Sequence, residues 1–389
     1  MGKAKITIVA SGRFHCFDLA EQLQQAERLA AIYTGYPLFK LRNTGVDQRY
    51  IRSIPWLMTP FLALGRWNVV PRWALAELDW QAKALVERVA RRSLPDCEVV
   101  IALSGIGLSV GKEIQKRGGI YVCDRGSTHI LVQERLLAEE YGKLGLAWRG
   151  MDKRVVQKEL LEYETADAIT LPSKFTIRSF AEMGVAKEKL KHVPYGVNLE
   201  RFKRSAPRAD HFRVLFAGAL SVRKGLHYLL DAFQQAALPG AQLVLAGSIT
   251  EDTPALMRGR MTKGVCVLGS LDRVRLIEEM SRASVMVLPS IEEGLALVLA
   301  QAMACGCPVV GSTHTGVEDL ISDGREGFIV APRNVDALVE KLTILYRDRA
   351  LVEQMSVRAV ERIASVGGWD AYGRAMMTVF DELLENKVA

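Results

Sequence analysis

The chain has 389 residues, of which 49% are hydrophobic and 24% are charged, and its formal net charge is +7. This length and composition predict a globular protein of about two domains. No apolar run reaches the length of about eighteen residues that a membrane span needs, and the first strand begins at Lys5, which leaves no room for a signal peptide. We therefore expect a cytoplasmic protein. The six cysteines lack the paired spacing of a metal site and are interpreted as buried, reduced thiols.

Short apolar strands alternate with helices in the first half, which is typical of a doubly wound α/β domain. The predicted elements are the strand Lys5–Ala10, a helix near Asp18–Leu29, the strand Ala31–Thr34, a helix near Arg72–Arg92, and the strands Val99–Leu103 and Ile120–Cys123. Asp18 is interpreted as a charge that complements the helix dipole. Pro194 and Gly196 interrupt the pattern, so the first domain is predicted to cover residues 1–195.

Basic and aromatic residues are interleaved between Phe39 and Trp80. They are Lys40, Arg42, Arg49, Arg52, Arg66 and Arg72 among the basic residues, and Tyr50, Trp56, Phe61, Trp67 and Trp73 among the aromatic ones. Cations with tryptophans suit an interfacial segment on an anionic membrane surface or a lipid-linked acceptor. A plain packed insertion is the main alternative, and the chain lacks a motif for nucleic acid.

Polar residues follow two strands of the first half. Ser11, Gly12 and Arg13 come after the first strand, and the segment from Asp124 to His129 comes after Ile120–Cys123. Open α/β sheets bind ligands at the carboxyl ends of their strands, so these loops are candidates for substrate contact. Helix capping is the alternative role for Asp124 and for His129.

The second half shows the same alternation, which predicts a second doubly wound domain over residues 196–370. Its predicted strands are Val214–Ala217, Gln242–Ala246, Val265–Leu268, Val285–Leu288, Val309–Val310 and Gly327–Val330. An amphipathic helix is predicted from Trp369 to Leu384, and residues 371–389 are assigned to this C-terminal segment.

A loop that begins with Gly218 joins the strand Val214–Ala217 to the next helix and contains Arg223, Lys224 and Gly225. Glycine at such a junction lets the backbone approach a ligand. Two adjacent cations can neutralise a diphosphate leaving group as charge develops on it. Arg223 and Lys224 are therefore the predicted phosphate ligands, and with both present we expect no need for a metal.

The most specific segment runs from Leu288 to Val310, with an acidic loop, a helix and a stop at Gly306 before Pro308. Glu293 is predicted to open the helix, and Gln301 follows two turns later. The free N–H groups of a first helical turn suit a phosphate. Glu292 is the alternative functional acid, and the position of Gly294 favours Glu293.

Together, the loop at Gly218 and the segment from Leu288 to Val310 resemble those of the retaining, nucleotide-sugar-dependent glycosyltransferases of the GT-B fold, family 4 (glycosyl transferases group 1). The resemblance implies two Rossmann-like doubly wound domains that face a central cleft, with a C-terminal helix that crosses back to the first domain. The implied donor-binding residues are Gly12, Arg13, Gly218, Arg223, Lys224, Glu293, Gly294, Leu295, Ala296, Leu297, Val298 and Gln301. The implied catalytic residues are Glu293, Arg223, Lys224 and, at the donor sugar, either His129 or Asp124.

Gln301 departs from the family pattern, in which a second Glu holds the ribose hydroxyls. A carboxylate accepts hydrogen bonds from both hydroxyls, whereas an amide accepts at one end and donates at the other, a change of roughly 1–2 kcal/mol. We therefore expect weaker or altered nucleotide recognition rather than lost activity.

The sequence thus predicts a metal-independent retaining glycosyltransferase of the hexosyltransferase type. It moves a sugar from a nucleotide diphosphate sugar to a glycan or lipid-linked acceptor, in the synthesis of a surface polysaccharide such as lipopolysaccharide. No cofactor and no nucleic-acid partner are expected, and the predicted location is the cytoplasm or the inner face of the cytoplasmic membrane. The alternatives are a catalytically impaired nucleotide-sugar-binding protein and a GT-B nucleotide-sugar epimerase.

Overall fold

The computed structural model describes residues 3–64 and 70–388. Within these ranges the chain forms two parallel sheets, each flanked by helices. The strands are β1 (Ile6–Ala10), β2 (Leu29–Thr34), β3 (Ile51–Ser53), β4 (Val99–Leu103), β5 (Ile120–Asp124), β6 (Ala168–Leu171), β7 (Leu190–His192), β8 (Arg213–Ala217), β9 (Gln242–Ala246), β10 (Val265–Gly269), β11 (Val285–Leu288), β12 (Val309–Ser312) and β13 (Gly327–Val330). The helices are α1 (Cys16–Gln25), α2 (Met58–Leu64), α3 (Arg72–Arg92), α4 (Leu108–Lys116), α5 (Ile130–Lys143), α6 (Lys153–Thr165), α7 (Lys174–Glu182), α8 (Leu226–Ala236), α9 (Thr253–Met257), α10 (Arg273–Arg282), α11 (Leu297–Ala304), α12 (Val335–Arg347), α13 (Arg349–Val366) and α14 (Trp369–Val388).

Both sheets are doubly wound. The first has the strand order β3-β2-β1-β4-β5-β6-β7, and the second has the order β10-β9-β8-β11-β12-β13. The central strands β1 and β8 are buried along their whole length, as expected when helices cover both faces of a parallel sheet. The strand order reverses beside β1 and beside β8, so each sheet has a crevice for ligands outside the carboxyl ends of its strands.

Three differences from the predicted elements have local causes. The edge strands β3 and β7 have three residues each, too few for a hydrophobic pattern to identify. The first helix ends at Gln25 rather than near Leu29. Glu27 adopts a φ of +60°, which turns the chain directly into β2.

The final helix α14 packs on α1 of the first domain. A Cβ atom at Gly373 would lie 2.5 Å from the Cβ atom of Gln22, so glycine permits this close approach. Arg28 donates to both carboxylate oxygens of Asp381, at 2.6 and 3.0 Å. The first sheet ends at His192 and the second begins at Arg213, while the boundaries at residues 195 and 370 stay predictions.

Among the residues that the structure describes, no helix combines the length and the apolar character needed to cross a membrane. Arg66, Trp67 and the side chain of Arg72, which belong to the basic and aromatic segment, lie outside the described part of the chain.

Candidate active site

A cavity of about 490 Å³ opens at the carboxyl ends of β8, β9 and β10, beside the amino end of α11. We call it the donor cavity. It is lined by these residues from the predicted donor set: Gly218, Lys224, Glu293, Leu295, Ala296, Leu297, Val298 and Gln301. Two loops that are distant in sequence therefore meet at one site, as expected for the crevice of a doubly wound sheet.

The lining residues that the sequence analysis missed include Gly247, Ser248, Ser270 and Leu271. They follow β9 and β10, so the rule that directed attention to Gly218 could also have found them. A Cβ atom at Gly247 would lie 1.7 Å from the carbonyl oxygen of Gly218. Only glycine allows the ends of these adjacent strands to come this close at the cavity wall.

Lys224 and Glu293 form a nearly buried ion pair at the donor cavity. Gly225, with a φ of +67°, makes the turn that brings them together, because a Cβ atom there would lie 2.1 Å from the carbonyl oxygen of Pro289. The Nη1 atom of Arg223 lies 3.4 Å from the Oε1 atom of Glu293. Burial works to lower the pKa of Arg223, but Glu293 and Glu292 outweigh it and raise that pKa, so Arg223 stays charged.

The helix α11 begins at Leu297, so the prediction that Glu293 opens the helix was wrong. Glu293 lies in the preceding loop, whose backbone bonds elsewhere: the N–H of Ile291 donates to the carbonyl oxygen of Arg223, and that of Ala296 donates to the carbonyl oxygen of Thr315. No side chain caps the start of α11, so the amino end of this helix can interact with an anion. That helix end lies four residues later in the chain than predicted.

Glu292 joins the two domains. Its fully buried carboxylate accepts hydrogen bonds from Ser127 Oγ (2.5 Å), from the Thr128 N–H (3.2 Å) and from Gln133 Nε2 (3.0 Å), all in the first domain. Burial works to raise the pKa of Glu292, but Arg223 and these donors outweigh it and hold that pKa below its ordinary value. The structure thus places Glu293 at the cavity and Glu292 at the domain interface.

Gly294 lies at the same interface. A Cβ atom at Gly294 would lie 1.9 Å from the carbonyl oxygen of Gly126. The carbonyl oxygen of Gly294 accepts a hydrogen bond of 2.6 Å from Ser173 Oγ. Gly294, a predicted donor-binding residue, therefore faces the backbone of the first domain rather than lining the donor cavity.

His129 does not reach the cavity, which corrects the prediction that it contacts the donor sugar. It caps α5, where its Nδ1 atom accepts from the N–H of Leu131 at 3.3 Å, and its ring packs against Tyr163 and Phe180. Burial, followed by the charge of Arg125, lowers the pKa of His129 to about 4. The side chain is thus a neutral part of the first core.

Asp124, the other candidate for the donor sugar, is paired within the first domain. Its Oδ2 atom lies 2.6 Å from His15 Nε2, and its Oδ1 atom accepts from Thr170 Oγ1 at 2.9 Å. His15 was missed, although the loop after β1 was a candidate by the strand-end rule. Within the described residues, His15, Cys16 and Asp124 form a group whose potential metal-ligating atoms lie within 4.8 Å of one another. Burial raises the pKa of the Cys16 thiol well above its ordinary value, so this thiol is protonated at neutral pH.

Gly12 and Arg13 also lie outside the donor cavity. A Cβ atom at Gly12 would lie 3.1 Å from the ring of Phe14, and Gly12 is buried. Arg13 donates to the carbonyl oxygen of Asn43 at 3.2 Å and lines a separate cavity of about 850 Å³, which we call the junction cavity. Asp18 also lines the junction cavity, and burial raises the pKa of Asp18 to about 6.

A second acid of the domain interface, Glu140 on α5, is fully buried. It accepts hydrogen bonds from His227 Nε2 (2.9 Å), Tyr228 OH (2.6 Å) and Arg333 Nε (2.6 Å), all on the second domain. Burial works to raise the pKa of Glu140, but these donors outweigh it and lower that pKa to about 2. Its carboxylate therefore joins the domains as an ion at neutral pH.

We expect Glu140→Gln to lower the free energy of unfolding by about 3 kcal/mol at pH 7, since that is the value of a pKa shift from 4.5 to about 2. A carboxyl whose pKa is lower in the folded state stabilises the folded protein at pH values above its unfolded-state pKa. This contribution is lost as the pH falls towards 2. The difference between the two proteins should be roughly half as large at pH 3, measured by urea unfolding. Glu139→Gln is the control, because Glu139 is exposed. An equal difference in the free energy of unfolding at pH 7 and at pH 3 would contradict the conclusion that Glu140 is ionised in the folded protein.

Residues 198–362 match the family model described as Glycosyl transferases group 1. Over 235 residues the chain is 27% identical to a GDP-mannose-dependent monoacylated alpha-(1-6)-phosphatidylinositol monomannoside mannosyltransferase of Corynebacterium glutamicum, covering 55% of this chain and 61% of that protein. The chain spans between about half and three-fifths of the length of the first curated relatives it matches.

Two solved structures share the fold across nearly the whole chain. Sucrose-phosphate synthase from Thermosynechococcus elongatus superimposes with a TM-score of 0.75 at 20% identity, over 98% of this chain and 100% of that one. Anabaena HepE in complex with UDP and glucose superimposes with a TM-score of 0.69 at 18% identity, over 97% of this chain and 100% of that one. These matches confirm the predicted class, a two-domain α/β protein with the GT-B fold. The region from 198 to 362 is thus similar to the glycosyl transferases group 1, while assignment of the chain to family 4 stays a prediction.

Proposed function

We propose that this chain is a retaining glycosyltransferase that takes a sugar from a nucleotide diphosphate sugar and transfers it to a glycan or lipid-linked acceptor. The observation that carries the proposal is the Lys224–Glu293 pair at the donor cavity, beside the uncapped amino end of α11. A cavity of about 490 Å³ is within the usual range for a small-molecule site. Support also comes from HepE, whose structure contains UDP and glucose, and from the GDP-mannose-dependent relative.

In the proposed reaction, the bond between the anomeric carbon and the diphosphate breaks first. The charge that develops on the diphosphate is stabilised by Lys224, by Arg223 and by the N–H groups at the start of α11. The acceptor hydroxyl then attacks from the face that the diphosphate leaves, and a diphosphate oxygen takes its proton. Glu293 holds Lys224 in place and contacts the donor sugar.

The acceptor site is assigned to the cleft side of the first domain, next to the junction cavity. Arg13, Arg201 and Arg273 line this cavity together with Asp18 and Asp370, so its wall can bond to sugar hydroxyls and to phosphate. The Corynebacterium relative is named for a phosphatidylinositol mannoside acceptor, which supports a lipid-linked acceptor here. Synthesis of a surface polysaccharide is the setting we propose.

The test is an activity screen of UDP-, GDP- and ADP-sugars with lipid-linked and free glycan acceptors, followed by NMR of the product. We expect transfer from one of these donors with the anomeric configuration of the donor preserved. An inverted product would contradict the retaining mechanism. A free epimerised nucleotide sugar would favour the epimerase alternative over transfer.

Metal removal should leave the activity intact. Glu293, the acid that lines the donor cavity, is already paired with Lys224. The charge of the diphosphate is balanced by Lys224 and Arg223 together with the amino end of α11. We therefore expect the same turnover with and without EDTA. Complete loss in EDTA, reversed by magnesium or manganese, would show that a metal is required.

Gln301 lies in the second turn of α11 and lines the donor cavity. If it faces the ribose, Gln301→Glu should tighten nucleoside diphosphate binding by up to roughly 1–2 kcal/mol, because a carboxylate accepts from both hydroxyls. Calorimetric titration of both versions measures the change. Weaker binding of Gln301→Glu would mean that the site is built around an amide, and unchanged binding would mean that Gln301 does not touch the nucleotide.

Gln301 is also the observation that favours the second candidate, a nucleotide-sugar-binding protein with impaired catalysis. Such a protein would bind the donor without transferring the sugar. Donor binding without product in the whole acceptor screen, together with product formation by Gln301→Glu, would select this second candidate.

A further inference from the structure

We propose that one edge of the first domain docks on an anionic lipid bilayer through a surface that we call the rim patch: Phe14, Phe39, Lys40, Arg42, Arg52 and Trp56. The proposal concerns a surface outside the donor cavity and does not depend on the transfer reaction. It rests on three observations, namely the exposure of large aromatic side chains, their position at one end of neighbouring strands, and the charge around them.

The aromatic side chains of the rim patch are strongly exposed. Trp56 is 67% exposed, Phe39 is 62% exposed and Phe14 is 53% exposed. Trp80, from the same basic and aromatic segment, is covered instead, with Arg154 and Lys158 stacked on its ring at 4.9 and 5.6 Å. Burying large aromatic surface is strongly favourable, so several such side chains left in water at one place indicate a surface that is covered in use.

These side chains lie at one end of the sheet. Phe14, Phe39 and Trp56 follow β1, β2 and β3, which are adjacent parallel strands with their carboxyl ends together. Contacts between the three loops confirm the placement. A Cβ atom at Gly12 would lie within 3.2 Å of both Phe14 and Tyr36. The Oγ atom of Ser53 donates to the carbonyl oxygen of Tyr36 at 2.6 Å, which links the loop after β2 to the end of β3.

The charge around Phe39 and Trp56 is positive. Residues 35–56 contain four cations and one anion, a net charge of +3. The anion is Asp47, which pairs with Arg49 at 3.2 Å. Lys40, Arg42 and Arg52 are exposed, and no acidic partner within 4.0 Å is found for them in the described residues. This segment therefore presents uncompensated positive charge next to aromatic rings.

An anionic bilayer is the occupant that fits both properties. Lipid headgroups attract lysine and arginine, while aromatic side chains, tryptophan above all, insert at the boundary between headgroups and acyl chains. A second copy of this chain fits less well, because an isologous contact would bring the same cations face to face. The rim patch also adjoins the junction cavity, since Phe14 lines that cavity and Arg13 bonds to Asn43, beside Arg42.

The test is sedimentation of the full chain with vesicles of phosphatidylcholine, with and without phosphatidylglycerol. We expect binding only when phosphatidylglycerol is present, and weaker binding at high salt. One basic residue near an anionic surface contributes about fivefold in affinity, so Lys40→Glu/Arg42→Glu should lower the partition coefficient by about tenfold or more. Phe39→Ser/Trp56→Ser should lower it to a similar extent.

Val357→Ser is the matched control, because Val357 is 60% exposed on α13, outside the rim patch, and this variant should bind vesicles like the unchanged chain. Thermal unfolding and nucleoside diphosphate binding should be the same for all variants, which separates failed docking from a failed fold or a failed donor site. Binding without dependence on phosphatidylglycerol, or equal binding by the rim-patch variants, would overturn the proposal. A dimer in gel filtration that the rim-patch variants dissociate would assign the surface to a second copy instead.

Discussion

Replacing Lys224 with alanine is expected to lower kcat by on the order of 100-fold or more while the fold stays intact. In the structure the ammonium group is nearly buried against Glu293 at the donor cavity, where water screens it little. In the proposed reaction it faces a diphosphate whose negative charge grows as the sugar leaves. Electrostatic groups placed in this way typically contribute about 2.7–4 kcal/mol to the transition state, which corresponds to this loss of rate.

The control for this variant is Lys263→Ala. Lys263 lines another cavity, of about 630 Å³, at the amino ends of β9 and β10, which is the end of the sheet where ligands are not expected. Turnover should fall in the Lys224 variant and stay unchanged in the Lys263 variant, with the same donor and acceptor. Near-normal turnover without Lys224 would remove this residue from the mechanism.

The second large effect is expected from Gly294→Ala. The added Cβ atom would lie 1.9 Å from the carbonyl oxygen of Gly126, and neither backbone segment can yield without moving one domain away from the other. Displacement of the acceptor side by about 1 Å is enough to lower a rate about 100-fold. We therefore expect kcat to fall by about this factor while nucleoside diphosphate binding stays nearly unchanged, since the donor cavity belongs to the second domain.

Small-angle scattering on the same variant should show an increased radius of gyration. Gly142→Ala is the matched control, because Gly142 lies on α5 with no neighbouring atom within 4 Å of its Cβ position. Unchanged kcat and an unchanged radius of gyration in Gly294→Ala would mean that the approach of the two domains at this point is not needed for turnover.

The sequence predicted most of the second domain, and the reason is local. Its strands are continuous apolar runs, and Gly218, Lys224 and Gln301 all follow the ends of such strands or lie on the helix after one. Parallel strands bring their carboxyl ends to one edge, so residues distant in the chain were correctly expected at one cavity. The alternation of strands and helices also predicted that both domains are doubly wound, although it gave no strand order.

The errors arose where contacts between residues distant in the sequence decide the local structure. A helix starting at Glu293 satisfies the sequence pattern, but Glu292 bonds to Ser127 and Thr128 of the first domain, and the loop stays non-helical until Leu297. His129 follows the end of a strand, and by that position alone it also fits a substrate-binding loop. Its burial against Tyr163 and Phe180 depends on packing that no local pattern reports.

The central claim is that the donor cavity binds the nucleoside diphosphate of the sugar donor. The most direct measurement is calorimetric titration of the unchanged chain, Lys224→Ala and Lys263→Ala with UDP, GDP and ADP. The account predicts that one of these ligands binds the unchanged chain and the Lys263 variant alike and binds the Lys224 variant about tenfold or more weakly, the loss expected for one charge-assisted contact. Equal affinity for all three proteins, or no binding of any nucleotide to the unchanged chain, would contradict it.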